Sequence, residues 1–290
     1  MSKKMTMQEA ITEAKRCLNC SRPLCRTGCP IENNIPEFVR ALSEGNIGNA
    51  YETIAERSNL PAICGRVCAH EKQCEAHCIL AKKNSAISIG SLEMFIADFA
   101  HEYGLNPVPP STGKRGKVAV IGSGPAGLTV AGDLAKMDFA VTIFEGQPEP
   151  GGVLLFGIPE FRLEKEVVRR EINILRKLGV EIVTEKLIGP DMTVDDLFAQ
   201  GYDAIFMGTG TALPRTLDIP GQELSGILTA TYFLKVVVLA DSGKLDKKEV
   251  LIHDDDDVVV IGAGNVAIDA ARTAIRRTSG NVTVLYHKTA

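Results

Sequence analysis

Val118-Ala119-Val120-Ile121-Gly122-Ser123-Gly124-Pro125-Ala126-Gly127 is the stretch that decides the fold of this chain. Residues 118–121 make a short apolar strand, three glycines make a turn, and residues 126–137 continue as a helix. The first glycine closes the turn, the second lets backbone approach a pyrophosphate, and the third packs helix on strand. The N-terminus of the helix offers phosphate its free N–H groups and the positive end of its dipole. A second strand over 140–144 ends at Glu145, placed to bind ribose hydroxyls. Strand, helix and acid stand in register, so Gly122, Gly124, Pro125, Ala126, Gly127 and Glu145 are read as a dinucleotide site.

Gly262-Ala263-Gly264-Asn265-Val266-Ala267 repeats the pattern after an apolar strand over 258–261. A helix is expected over 266–277 and a strand over 282–286. That strand ends Leu285-Tyr286-His287-Lys288, with no carboxylate. A ribose 2′-hydroxyl loses its partner there and a 2′-phosphate gains cations, so NADP is favoured over NAD. The expected NADP residues are Gly262, Gly264, Asn265, Val266, His287 and Lys288. Two turns of unequal type imply two cofactors, FAD at the first and NADP(H) at the second, with hydride passing from nicotinamide to flavin. No acid–base side chain is required for that transfer. Between the turns, residues 164–178 are amphipathic (Val167, Val168, Ile172, Leu175), and 180–183 and 203–207 read as strands. The alternation implies parallel sheets with helices on their faces. The acidic residues 254–257 read as a solvated turn.

The cysteines carry a second signal. All eight fall between Cys17 and Cys78, as Cys17-x2-Cys20-x4-Cys25-x3-Cys29-Pro30 and Cys64-x3-Cys68-x5-Cys74-x3-Cys78. Short spacing with a final Cys-Pro is how a chain wraps a cubane cluster, the last cysteine of a run often serving the other cluster. Disulfides would need an oxidising compartment, and the charged N-terminus has no apolar signal core. Structural zinc is the better rival, although zinc motifs pair two CxxC units across a gap. The quartets therefore point to two [4Fe-4S] clusters and an electron carrier, and on the bare spacing Cys64 belongs to the second.

Residues 1–105 read as helices tied around the cysteines, with segments at 36–42, 49–57 and 92–103, and the breaker-rich residues 106–113 as a linker. At 290 residues the chain has room for about two domains. Its 45% hydrophobic and 23% charged residues suit a globular core, and a net charge of −4 argues against a nucleic-acid or anionic-membrane surface. No apolar run approaches the ~20 residues of a membrane span. Free thiols without a secretion signal point to the cytoplasm.

The chain resembles the small (β) subunit of bacterial NADPH-dependent glutamate synthase. Its relatives include the amino-terminal half of dihydropyrimidine dehydrogenase and the large subunit of NADH-dependent ferredoxin:NADP oxidoreductase. The resemblance rests on Arg16-Cys17-Leu18-Asn19-Cys20, Gly28-Cys29-Pro30-Ile31, Leu60-Pro61-Ala62-Ile63-Cys64-Gly65-Arg66-Val67-Cys68 and Ile89-Gly90-Ser91-Leu92-Glu93. It continues through Gly157-Ile158-Pro159-Glu160-Phe161-Arg162-Leu163, Gly208-Thr209-Gly210 and Gly264-Asn265-Val266-Ala267-Ile268-Asp269.

The resemblance implies a helical two-cluster iron–sulfur domain (1–105), a linker (106–113), the first part of an FAD-binding domain (114–222) and an incomplete NAD(P)H-binding domain (223–290), both Rossmann-like. Gly152, Leu187 and Gly210 join the expected FAD contacts. The resemblance also implies Cys17, Cys20, Cys25 and Glu93 at one cluster, with Cys29, Cys68, Cys74 and Cys78 at the other. Cys64 is then a spare thiol. The implied activity is electron input: NADPH reduces FAD, and electrons leave through the clusters to an FMN-bearing glutamate synthase large subunit or an equivalent partner. Relatives have proline where Ala69 and Glu164 stand, and they continue for over a hundred residues, so the chain reads as a C-terminally truncated fragment.

Overall fold

A computed structural model describes residues 4–83, 85–105, 109–211, 217 and 219–287. The chain divides into two compact units: Met1–Pro150 with Glu166–Gly208, and Gly151–Lys165 with Thr209–Ala290.

The first unit begins with six helices. Helix α1 (Met7–Ala14) starts at a capping box, in which the Glu9 carboxylate accepts the Thr6 N–H at 2.8 Å and the Thr6 hydroxyl accepts the Glu9 N–H at 3.3 Å. Helix α2 (Leu24–Thr27) is a single turn among the cysteines. Helix α3 (Ile35–Ser43) carries Pro36 in its first turn, where a missing N–H costs nothing. The Asn46 side chain caps α4 (Ile47–Ala55) by accepting the Asn49 N–H at 3.1 Å. Helices α5 (Pro61–Val67) and α6 (Ile89–Glu102) follow. Phe38, Leu42, Ile54, Leu92 and Ile96 are fully buried and form one core with Val39, Ala50 and Ala100. Helix α5 lies so close to α6 that a Cβ on Gly65 would stand 2.5 Å from the Met94 nitrogen.

The same unit contains the glycine-turn sheet. Strand β1 (Lys117–Ile121) leads through α7 (Pro125–Lys136) to β2 (Ala140–Phe144). Helix α8 (Val153–Phe156) falls in the segment that belongs to the second unit. Helix α9 (Lys165–Lys177), β3 (Glu181–Val183), α10 (Val194–Ala199) and β4 (Ala204–Met207) complete the succession. The strands are parallel in the order β3-β2-β1-β4, with Val118 opposite both Val141 and Ala204. Such an order needs a helical crossover between neighbours, and it places the carboxyl ends of β1 and β2 side by side.

Buried polar contacts fasten the helices to the sheet side of this unit. Asn59, just before α5, donates from Nδ2 to Thr129 O (3.0 Å) and Asp133 Oδ1 (2.6 Å) on α7. Lys136 Nζ donates to Ala55 O at 2.5 Å. Asp98 of α6 receives two guanidiniums, Arg66 of α5 at 2.9 Å and Arg170 of α9 at 2.6 Å. Glu171 of α9 accepts the Ala62 N–H at 3.3 Å.

In the second unit, α11 (Ala230–Asp241) and α12 (Asn265–Ala274) pack Phe233, Leu234 and Val237 against Ala270 and Ala274. Strands β5 (Val258–Ile261) and β6 (Val282–Leu285) pair in parallel, Val258 opposite Val282. Val259, Ile261 and Leu285 are exposed. Among the described residues, no helix is long and apolar enough to cross a membrane.

Helix and strand placement follows the sequence reading, with shifted ends. The helix expected over 92–103 begins at Ile89, and that expected over 266–277 stops at Ala274. Helices α1, α2, α5, α8, α10 and α11 carried no expectation. In the expected linker, residues 106–108 lie outside the described residues. Beyond them Ser111 N–H donates to Leu178 O, and Asp138 accepts the Thr112 N–H at 2.6 Å.

Asp98→Ala leaves Arg66 and Arg170 partly buried without their shared carboxylate. It should destabilise the first unit by about 3 kcal/mol, measured by denaturant unfolding, because an unpaired buried charge costs more than the pair contributes.

Candidate functional site

The first glycine turn is built as its sequence requires. Gly122 has φ +95°, a left-handed conformation that a side chain strains, and its N–H donates to Phe144 O at 2.8 Å. A Cβ on Gly127 would fall 1.9 Å from Gly122 O, so the helix can start here only on a residue with no side chain. Gly124 caps α7 and a Cβ there would meet nothing within 4 Å, leaving open ground before the free N–H groups of a twelve-residue helix. Pro125 occupies the first helical turn.

Glu145 follows β2 and is buried at 8% exposure. Its carboxylate accepts the Ser123 N–H at 3.0 Å, the Ser123 hydroxyl, and the Gln147 N–H at 2.8 Å. Ser123, absent from the sequence reading as a functional residue, is fully buried and orients the acid. Leu187 is exposed beside this end of β2, where a Cβ on Gly146 would come within 3.1 Å of its Cδ1. Open space at a helix N-terminus beside a fixed carboxylate fits a dinucleotide's pyrophosphate and ribose. The remaining expected FAD residues lie in the second unit: Gly152 (φ +52°) caps α8, and Gly210 (φ +72°) faces open space.

The second turn is similar but looser. Gly262 has φ +119° and donates to Leu285 O at 2.7 Å, and Gly264 caps α12 with nothing within 4 Å of an added Cβ. Ala267 holds the place of the third glycine. Asn265 and Val266 are exposed at the start of α12, and His287 is exposed after β6. Lys288 lies outside the described residues.

Sequence reasoning gave no role to Arg162 and Asp269, which pair at 2.5 Å. Phe161, next to them, has Arg272 and Arg276 over its ring at 4.2 and 4.3 Å. These contacts dock α12 on the segment before α9, within the second unit. Their spacing in sequence carried no signal.

The eight cysteines stand in two neighbourhoods of the first unit. Cys17, Cys20, Cys25 and Cys78 line one cavity with Leu18, Leu24 and Ile79. Burial, then its neighbours' charge, pushes the Cys25 thiol up to about 11, and Cys17 is raised for the same reasons. Cys64, Cys68 and Cys74 form the other neighbourhood, with Cys29 close enough to Cys74 to affect its ionisation. Cys64 is held well up by donating a hydrogen bond to Cys68, which is lowered in turn. Burial, and then the Cys68 charge, pushes the Glu93 carboxyl well above the ordinary range.

The side chains are grouped differently from the expected ligand sets. Glu93 neighbours Cys64, Cys68 and Cys74 rather than Cys17, Cys20 and Cys25, and Cys78 has moved the other way. The cause is the α5–α6 contact at Gly65 and Met94, which brings residue 93 beside the α5 cysteines. Among the described residues no three such side chains converge on a single metal ion. The donor set still fits an iron–sulfur core: crowded thiols that resist ionisation alone become thiolates when a cationic metal core neutralises them. His70, between Cys68 and Cys74, is buried with Nε2 lacking a hydrogen-bond partner, a polar atom such a group could satisfy.

Strand order, glycine turn and buried carboxylate together define a dinucleotide-binding α/β protein. Residues 116–290 match the pyridine nucleotide-disulphide oxidoreductase family, and the chain belongs to it. Residues 1–105 match a 4Fe-4S cluster domain, dihydropyrimidine dehydrogenase domain II. Over 97% of its length the chain is 39% identical to the glutamate synthase [NADPH] small chain of Halomonas elongata and 36% identical to that of Escherichia coli K12. The small chain of Azospirillum brasilense is 35% identical over the same share. This chain spans 60%, 60% and 59% of those relatives.

Gly127→Ala should cost about 2 kcal/mol of stability, as overpacking against backbone does, and it should also abolish flavin retention on gel filtration. Glu145→Gln should weaken flavin retention with far less effect on melting temperature.

Proposed function

We propose that this chain is the electron-input part of an NAD(P)H-dependent oxidoreductase that delivers electrons to a separate catalytic chain. One juxtaposition carries the reading: two cysteine groups share a compact unit with a glycine turn that ends in a buried carboxylate. When bound, NADP(H), FAD and two [4Fe-4S] clusters would together supply hydride acceptance and its division into single electrons.

The chain's own residues hold and position these groups. Gly122, Gly124, Pro125, Ala126 and Gly127 present the α7 N–H groups to a flavin dinucleotide's pyrophosphate, and Glu145 takes its ribose. Gly152, Leu187 and Gly210 are further flavin contacts. Gly262, Gly264, Asn265 and Val266 cradle the nicotinamide dinucleotide. The absence of a carboxylate after Leu285, with His287 and Lys288 in its place, favours NADP(H). Cys17, Cys20, Cys25 and Cys78 hold one cluster; Cys29, Cys68 and Cys74 hold the other, with Glu93 as fourth ligand and Cys64 as the alternative.

The small-chain relatives support an FMN-bearing glutamate synthase large subunit as the acceptor. The match of residues 1–105 supports a second reading, the NAD(P)H-oxidising part of a dihydropyrimidine dehydrogenase.

Anaerobic purification should give about eight irons and one flavin per chain, bleached by NADPH. Zinc without iron overturns the cluster assignment, and iron without flavin overturns the entry port. In EPR, Cys17→Ser and Cys78→Ser should perturb one signal and Glu93→Ala the other. Cys17→Ser and Glu93→Ala acting on the same signal would refute the grouping.

A further inference from the structure

A second cavity, of about 290 Å³, lies in the first unit away from both the cysteines' pocket and the glycine turn. Its apolar wall comes from Ile174, Leu175 and Leu178 around the end of α9, with Ala55 and Pro61 opposite. Its polar side chains are Lys136 and Lys177, Tyr51, Ser58 and Asn59, the last with its Oδ1 buried and without a hydrogen-bond partner among the described residues. Among the described residues no carboxylate lines it.

Lys136 is half-buried, and among the described residues its ammonium donates one hydrogen bond, to Ala55 O at 2.5 Å, which leaves two of its three N–H groups for other partners. Burial lowers its pKa, with the nearby Asp133 carboxylate offsetting part of that shift, the mark of an ammonium short of water. The Tyr51 side chain is buried, and its hydroxyl has no hydrogen-bond partner among the described residues. The charges behind that phenol, Glu171 and Arg170, are of opposite sign and offset each other. Lys177 is exposed at the mouth. Two cations and a free hydroxyl set into an aliphatic wall are complementary to an anion with an apolar body.

We propose that this cavity binds a small aliphatic monocarboxylate, its carboxylate on Lys136 and Lys177 and its tail against Ile174, Leu175 and Leu178. The site is independent of the electron-input reading. Its place gives it a consequence, since Ala55 ends α4, Pro61 opens the helix that bears Cys64, and Lys136 ends α7. An occupant would tie the cysteine-bearing helices to the dinucleotide helix.

Calorimetric titration of the purified holoprotein with 4-methylpentanoate, and with the uncharged 4-methylpentanamide, tests this. Saturable binding of the acid but not the amide is expected. Affinity should fall about tenfold or more in Lys136→Met, fall less in Lys177→Gln, and vanish in Ile174→Phe, which fills the cavity. Equal binding of acid and amide, no saturation by the acid, or wild-type affinity in Ile174→Phe would overturn the proposal. If Lys136→Met fails to fold by circular dichroism, Lys177→Gln decides, since its position is exposed. Unchanged affinity there would then count against the site.

Discussion

The backbone of α5 at Gly65 rests against the backbone of α6 at Met94 and Gly90, nearer than any side chain would allow. Helices that touch at this distance have little freedom to slide, because the contact is between main chains rather than adaptable side chains. Everything that α5 and α6 carry is placed by that contact. Cys64 and Cys68 are on or just past α5, Glu93 lies one residue before Met94, and Arg66 and Asp98 meet one turn further along. A buried carboxyl beside thiols is costly anywhere else in the molecule; here the spacing of the two helices leaves it no other position.

The same pair of helices passes the constraint on to the sheet. Asp98 accepts from α5 and α9 together, and Asn59 grips α7 from the turn before α5. Sites for one-electron and two-electron chemistry work together only if their separation is fixed. The first unit joins its cysteine helices to the dinucleotide helix through hydrogen-bonded charges and amides, which specify their register residue by residue.

How much could be read from sequence depended on whether a residue's duty was local. The glycine turn was legible because the demands on Gly122 and Gly127 arise within six residues, and Glu145 follows at a distance fixed by one helix and one strand. The parallel sheet was legible for the same reason. Helix α11 was not, since Ala230–Asp241 holds a Val-Val-Val run that suits a strand; burial of Phe233, Leu234 and Val237 overrides that preference. The cysteine grouping was half legible. Spacing announced eight metal-seeking thiols, but it does not say that Cys78 returns to Cys17, or that Glu93 lies beside Cys68. Both facts depend on how helices far apart in sequence pack. His70 and Ser123 were invisible because their importance comes from burial alone.

The two glycine turns also differ in how they close. At the first, the helix presses on the turn so hard that residue 127 has no space for even a methyl group; at the second, Ala267 carries one in comfort, and a Cβ built on Gly262 would still clear it by 3.5 Å. The two turns are therefore not interchangeable parts. Over evolutionary time the first is a constrained position, where a side chain costs stability before it touches any ligand. The second has slack, and a lineage could retune its choice of nucleotide there while the flavin end of the molecule stayed as it is.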